Sequence, residues 1–274
     1  MKKENIALQI YSVRVDLEKD FYGTLRAVKE MGYAGVEFAG LYGNDPLEVK
    51  AFCEEIGLVP LSAHVAFPEF MADLEGTVNT YAALGVPYIA IPWLDEERRP
   101  GHPGYPEFLE GVKAISAKLK EKGITLSYHN HDFEFEKLDG QYLLDIMYKD
   151  LSPEVLQTQL DTCWVNVGGE NPAAYCTKYA GRTPTVHLKD FVGSKAENMY
   201  GLIGVEGGET KADGNKFMLM SVGKGCQDFT AIVAAADAGG AKWYIVEQDE
   251  PSMGLTALEC AKASIDYLHN EICK

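Results

Sequence analysis

The feature that most constrains this chain is a unit repeated eight times, a short apolar run followed by an amphipathic stretch, with a glycine stop in several copies. Ile6 to Val13, Gly35 to Ala39, Val59 to Val65 and Tyr88 to Pro92 read as strands one to four. Apolar residues recur at helical spacing over Asp20 to Met31, Pro46 to Ile56, Met71 to Leu84 and Tyr105 to Lys122, which stop at Gly32, Gly57, Gly85 and Gly123. Thr125 to His131, Leu156 to Asp161, Thr185 to Lys189 and Trp243 to Glu247 supply strands five to eight. Their predicted helices are Tyr142 to Lys149, Pro172 to Tyr179, Phe229 to Ala238 and Leu255 to Asn270. Strand and helix alternating eight times predict an α/β fold, a (β/α)8 TIM barrel. A doubly wound open sheet is the alternative, but no G-x-G-x-x-G follows the first strand. The 274 residues are near the roughly 250 of one such barrel. No Ser/Gly linker divides them, so residues 1–274 read as a single domain.

Charge narrows the partners. Lys+Arg 25 against Asp+Glu 41 gives a net charge of -16, which argues against a nucleic-acid or anionic-membrane partner. The expected partner is a small molecule, and a homo-oligomer is compatible with the pattern. Six cysteines without C-x-x-C spacing read as free thiols of a reducing compartment. The chain reaches its first strand within six residues, with no signal-type core and no run of membrane-spanning length, so a cytoplasmic location is expected.

Chemistry concentrates at the ends of the strands. Alternation along strand five puts His129 and His131 on one face and Tyr128 and Asn130 on the other, with Asp132, Glu134 and Glu136 following. A pair of hydrogen-bonded structural histidines explains that stretch as well as a metal or proton-transfer site does. The other strands decide between the two readings. They end in or near Gln9, Glu37, His64, Trp93, Asp161, His187 with Lys189, and Glu247. Burying so many polar groups unpaired would cost several kcal/mol each, whereas convergence on one barrel mouth accounts for all of them. Asp161, His187 and Glu247 form a donor set suited to Mn(II), Zn(II), Fe(II) or Co(II). Singly, Asp161 also reads as a helix N-cap and His187 as a structural histidine. The long segment from Phe191 to Gln227, with the Gly-rich Gly201 to Gly208 and then Ser221 to Gly225, reads as a lid, a subunit contact or a tolerated loop over the mouth.

Taken together, Gln9-Ile-Tyr-Ser-Val-Arg14, Gly35-Val-Glu-Phe38, Ser62-Ala-His64, Tyr128-His-Asn-His131, Leu160-Asp-Thr162, Val186-His-Leu-Lys-Asp190 and Val246-Glu247 resemble the xylose isomerase-like TIM-barrel superfamily. Within it the match is to the sugar phosphate isomerase/epimerase group, which includes inosose dehydratases and ketose 3-epimerases and, more distantly, endonuclease IV. The resemblance covers essentially the whole chain. It implies a divalent metal held by Glu, Asp, His and Glu on strands five to eight. The last three fall on Asp161, His187 and Glu247. Where Glu-Asn-His is expected at strand five, this chain has His129-Asn130-His131, so His129 is assigned as the fourth ligand and Glu134 as the alternative.

That departure removes one carboxylate of the acid/base pair that epimerases use. The expected chemistry is an enediolate formed next to the carbonyl of a ketose, keto-sugar or cyclitol. Glu247 or Glu37 removes the proton, and His131 or Lys189 returns it in an isomerisation or gives it to a leaving hydroxyl in a dehydration. Gln9, His64 and Glu134 are expected to contact substrate, and Trp93 and Trp164 to pack against a sugar ring or simply beneath a loop. Lys189 reads equally as an ion-pair partner of Asp190 or Glu37. Arg14 and Lys189 are the only basic residues placed at the mouth, which favours a substrate without phosphate. A metal-dependent isomerase or epimerase heads the expectations, followed by a dehydratase and then a non-catalytic sugar-binding barrel.

Overall fold

A computed structural model of the chain describes residues 1–195, 199 and 217–273. Eight parallel strands close on themselves: β1 (Ile6–Gln9), β2 (Gly35–Phe38), β3 (Val59–His64), β4 (Tyr88–Ile91), β5 (Thr125–His129), β6 (Gln157–Asp161), β7 (Thr185–Leu188) and β8 (Trp243–Val246). Each pairs with its neighbour in sequence, and β8 returns to β1 through Tyr244 opposite Ile6, Ile245 opposite Ala7 and Val246 opposite Leu8.

The outer helices follow from local sequence. In Phe21–Met31 the buried Phe21, Thr24, Leu25 and Val28 share one face, and Asp20 caps the first turn by accepting the Gly23 N–H at 2.9 Å. Pro46–Ile56 ends where Gly57 adopts a φ of 69°, a left-handed conformation that is nearly free of strain only for glycine. Such faces pack on the barrel's exterior as one continuous core containing Leu25, Val49, Phe108, Ile115, Ile232 and Ile265. Each side chain of this size contributes about 1.5–3 kcal/mol when fully buried.

Inside the barrel, alternate residues point to the axis. Toward the N-terminal ends of the strands Ala7, Leu61 and Ile245 pack together, flanked by Tyr88 and Trp243. Gly35 makes this plug fit. A Cβ there would lie 3.3 Å from the Trp243 indole and 3.0 Å from the Val59 carbonyl oxygen.

Several predicted boundaries differ for local reasons. The first strand stops at Gln9, whose side-chain oxygen accepts the Tyr11 N–H at 3.0 Å and starts a 3-10 turn, Ile10–Val13, leading into the helix Arg14–Lys19. The helix expected over Met71 to Leu84 is two, Phe67–Ala72 and Leu74–Leu84, because Asp73 leaves the helical conformation and caps the second through the Gly76 N–H. A short helix, Thr162–Val167, starts directly at the end of β6. The last helix, Ala257–Tyr267, is shorter than expected and continues into a wider turn over Leu268–Ile272.

After β7 the chain forms a hairpin in which Asp190–Val192 pairs antiparallel with Met218–Met220. Ser221 to Gly225 then wraps the Asp190 carboxylate, which accepts the N–H groups of Phe191, Gly223, Gly225 and Gln227. The Gly-rich stretch Gly201 to Gly208 lies outside the described residues. No helix among the described residues is long and apolar enough to cross a membrane.

Candidate active site

At the C-terminal ends of the strands the inward face turns polar. Gln9, Glu37, His129, Gln159, Asp161, His187, Lys189 and Glu247 are all buried there, and His64 is half-buried beside them. Asn130, on the opposite face from His129, ties β5 to β6. Its Oδ1 accepts the Asp161 N–H at 3.0 Å, and its Nδ2 donates to the Asp161 carbonyl at 3.3 Å.

One donor atom each from His129, Asp161, His187 and Glu247 lies within 4.8 Å of the others. Asp161 Oδ1 is committed to the N-terminus of the helix Thr162–Val167, accepting from Cys163 N–H at 2.8 Å and Trp164 N–H at 3.1 Å. Its Oδ2 is buried and has no hydrogen-bond partner. The charged or ring nitrogens beside that oxygen are Lys189 Nζ at 3.4 Å and His129 Nε2 at 3.7 Å. Lys189 Nζ is also 3.0 Å from Glu247 Oε2 and 3.0 Å from Asp249 Oδ2. His187 is held on both sides, Nδ1 at 3.0 Å from Glu247 Oε2 and Nε2 at 2.7 Å from Glu37 Oε1.

These distances set the charges. Burial opposes ionisation of Glu37 and Glu247, but His64 and His187 hold Glu37, and Lys189 and His187 hold Glu247, well below the usual carboxylate range. Burial likewise opposes charge on His187, yet the flanking carboxylates push it up to about 10. Burial drives His129 and His131 the other way, well below the ordinary imidazole value, reinforced for His129 by His187 and for His131 by Lys189. Burial raises Asp249 to about 7 despite Lys189. Burial also opposes charge on Lys189, but Asp249, Glu247 and Asp161 keep it firmly cationic.

The donor set fits a divalent cation. Two imidazoles and two carboxylates with donor atoms within 4.8 Å of one another, one with a buried oxygen that makes no hydrogen bond, are a mixed nitrogen and oxygen set of the kind that holds Zn(II), Mn(II), Fe(II) or Co(II). An unmade hydrogen bond at a buried oxygen costs about 1–3 kcal/mol, more when the group is charged. A cation removes that penalty.

The fold thus brings His129, Asp161, His187 and Glu247 together, with Lys189 against them and Glu37, Gln9 and His64 on the facing strands. His131 stands beside the cluster with its ring 5.1 Å from that of His129 and its Nδ1 unpartnered. Trp164 packs 5.5 Å from the His131 ring, and its indole N–H also lacks a partner. Trp93 is half-buried just past β4.

Other expectations need correction. Glu134 is outside the four-donor cluster, and both of its oxygens are already engaged, accepting the Tyr128 hydroxyl and the His131 N–H. Lys189 pairs with Asp161, Glu247 and Asp249 rather than with Asp190 or Glu37. Glu37 has both oxygens engaged by side-chain donors, which disfavours it as a free base. Gln159 and Asp249 went unnoticed in the sequence. The first was visible as a polar residue on the inward face of Gln157-Thr-Gln-Leu-Asp161, and the second as a carboxylate two residues beyond Glu247.

The xylose isomerase-like TIM barrel family matches residues 25–270. The chain belongs to this family. Among family relatives, an inosose dehydratase of Geobacillus kaustophilus is 24% identical over 274 residues, covering 89% of this chain and 86% of its own. A second, from Clostridium beijerinckii, is 26% identical over 165 residues, 58% of this chain and only about half (52%) of its own length. Among solved structures, a sugar phosphate isomerase/epimerase from Parabacteroides distasonis superposes with a TM-score of 0.78 at 26% identity, covering 97% of this chain and 98% of the other. The zinc-bound IolI protein has the same fold at a TM-score of 0.69 and 16% identity, covering 96% and 95%.

Proposed function

We propose that this protein is a divalent-metal-dependent enzyme that removes the proton next to the carbonyl of a keto-sugar or keto-cyclitol, with loss of water as its net reaction. The observation that carries the reading is the buried four-donor cluster with its orphaned Asp161 oxygen. The names of the relatives, inosose dehydratase in both cases, support elimination as the outcome.

A cation held by His129, Asp161, His187 and Glu247 would act as a Lewis acid toward the carbonyl and lower the pKa of the adjacent C–H. Glu247 is the base of choice, since Lys189 and His187 keep it ionised and Glu37 is fully engaged. The C–H proton passes to Glu247, and its electron pair becomes the new double bond. The hydroxyl on the next carbon leaves with a proton from Lys189, the cation beside the cluster, so one water is lost. His64 and Gln9 line the facing wall, and Trp164 supplies an apolar surface and one N–H. Isomerisation is the second reading, favoured by the name of the Parabacteroides structure. It differs only in that the acid returns a proton to carbon.

Metal-loaded protein incubated in deuterated water with inososes, 3-keto-sugars and ketoses, followed by NMR, tests both. Loss of a hydroxyl supports the dehydratase, and deuterium incorporation without loss of water supports the isomerase. Neither signal from protein shown to hold its metal would overturn the proton-abstraction chemistry for these substrates.

A further inference from the structure

We infer that Glu37 is a positioning residue that fixes where the hydrogens sit on both imidazoles of the metal cluster, one directly and one through Gln159. The inference rests on the metal-dependent reading above.

Glu37 is fully buried at the end of β2, across the barrel from the strands that bear the ligands. Its Oε1 lies 2.7 Å from His187 Nε2, 2.8 Å from Gln9 Nε2 and 3.0 Å from His64 Nε2. Its Oε2 accepts from Gln159 Nε2 at 2.6 Å. An ionised carboxylate only accepts. Glu37 therefore holds the hydrogen on His187 Nε2, and the hydrogen on Nδ1, which faces Glu247 Oε2 at 3.0 Å, is the one a cation would displace.

The second arm runs through the amide. With its NH2 group committed to Glu37, and more weakly to Thr185 Oγ1 at 3.3 Å, Gln159 turns its oxygen to His129 Nδ1 at 3.1 Å and His64 Nε2 at 2.7 Å. His129 then holds its hydrogen on Nδ1, so Nε2 is the bare nitrogen on the Asp161 Oδ2 side, 3.7 Å away. One carboxylate that touches no candidate ligand oxygen thus leaves His187 Nδ1, beside Glu247, and His129 Nε2, beside Asp161, as the nitrogens available to a cation. Partners of this kind hold a ligating ring in its tautomer and orientation.

The pattern predicts its own rescue. In Glu37→Gln the single amide oxygen accepts from His187 only if the new NH2 faces the NH2 of Gln159, so one arm fails whichever way the group turns. Adding Gln159→Glu restores an acceptor opposite that NH2 and a carboxylate for His129 and His64, with the net charge unchanged. By isothermal titration of metal-free protein with Zn(II), E37Q is expected to bind about 10- to 100-fold more weakly than wild type. E37Q/Q159E is expected to regain most of that loss.

Wild-type affinity in E37Q, or a double variant no better than E37Q, overturns the positioning role while leaving the metal site standing. No Zn(II) or Mn(II) uptake by wild type overturns the metal reading and this inference with it. Should E37Q fail to fold, 15N NMR of Zn(II)-loaded wild type decides instead. Hydrogens on Nε2 of His187 and Nδ1 of His129 support the assignment, and hydrogens on the opposite nitrogens overturn it.

Discussion

At one end of the barrel the axis is filled by Ala7, Leu61 and Ile245 between Tyr88 and Trp243, and at the other by Glu37, His64, His129, Gln159, Asp161, His187, Lys189 and Glu247. The same two-residue alternation builds both, and often on one strand, as Ile245 and Glu247 or Ala7 and Gln9 show. The apolar end is stable by itself, because water leaves it and nothing inside needs a partner. At the polar end charge is desolvated and then balanced by opposite charge, with Asp161 Oδ2 ion-paired to Lys189 at 3.4 Å but making no hydrogen bond. Stability and ligand affinity should therefore separate along the barrel axis.

The largest break in that comparison should come from Lys189→Met. Three buried carboxylates lose their common cation, and metal-free protein should lose about 3–5 kcal/mol in chemical denaturation. Added Zn(II) should restore much of it by supplying positive charge to Asp161 and Glu247. At the opposite end Ile245→Ala should cost a similar or smaller amount, about 2–5 kcal/mol. Its metal affinity, measured by chelator competition, should stay at the wild-type value, and a large drop would show that the two ends are not independent. Asp161→Asn keeps an oxygen for the Cys163 and Trp164 N–H groups but removes the charge. Metal affinity should fall by more than the about 100-fold typical of outer-shell changes, with little change in the denaturation midpoint of the metal-free protein.

The smallest effect concerns Glu134. Burial raises its carboxyl to about 7 despite the hydrogen bonds from Tyr128 and the His131 N–H. The folded chain therefore binds this proton more tightly than the unfolded chain, and the group's contribution to stability falls as pH rises from about 4.5 toward 7. Glu134→Gln should flatten that part of the thermal-midpoint profile, while lost hydrogen bonds cost about 1 kcal/mol at low pH. An unchanged slope would remove Glu134 as a source of pH dependence.

The barrel was legible because its signal is periodic. Each apolar run and glycine stop is local, and all eight strands were predicted close to where they lie. The errors were also local: Gln9 starts a turn with its own side chain, and Asp73 caps a second helix inside what reads as one. Asp161, His187 and Glu247 were readable because ionisable residues are conspicuous at strand ends. Gln159 was not, since its meaning depends on Glu37, which is 122 residues away in sequence. Glu37 was seen but given a base's role, because no local pattern reveals that four side chains donate to it.

Asn130 shows how little of this geometry is left to chance. Its side-chain amide exchanges hydrogen bonds with the backbone N–H and C=O of Asp161 much as another strand residue would. The separation of His129 from Asp161 is therefore set with the rigidity of a sheet rather than that of a loop. Variation that alters the reaction is better placed at His131, beside the cluster with an unpartnered Nδ1, than at Trp164, which is fully buried and stacked on Phe217. At Asn130 the same freedom would shift two candidate ligands, His129 and Asp161, at once, so a search for new activities in this barrel should leave that residue fixed.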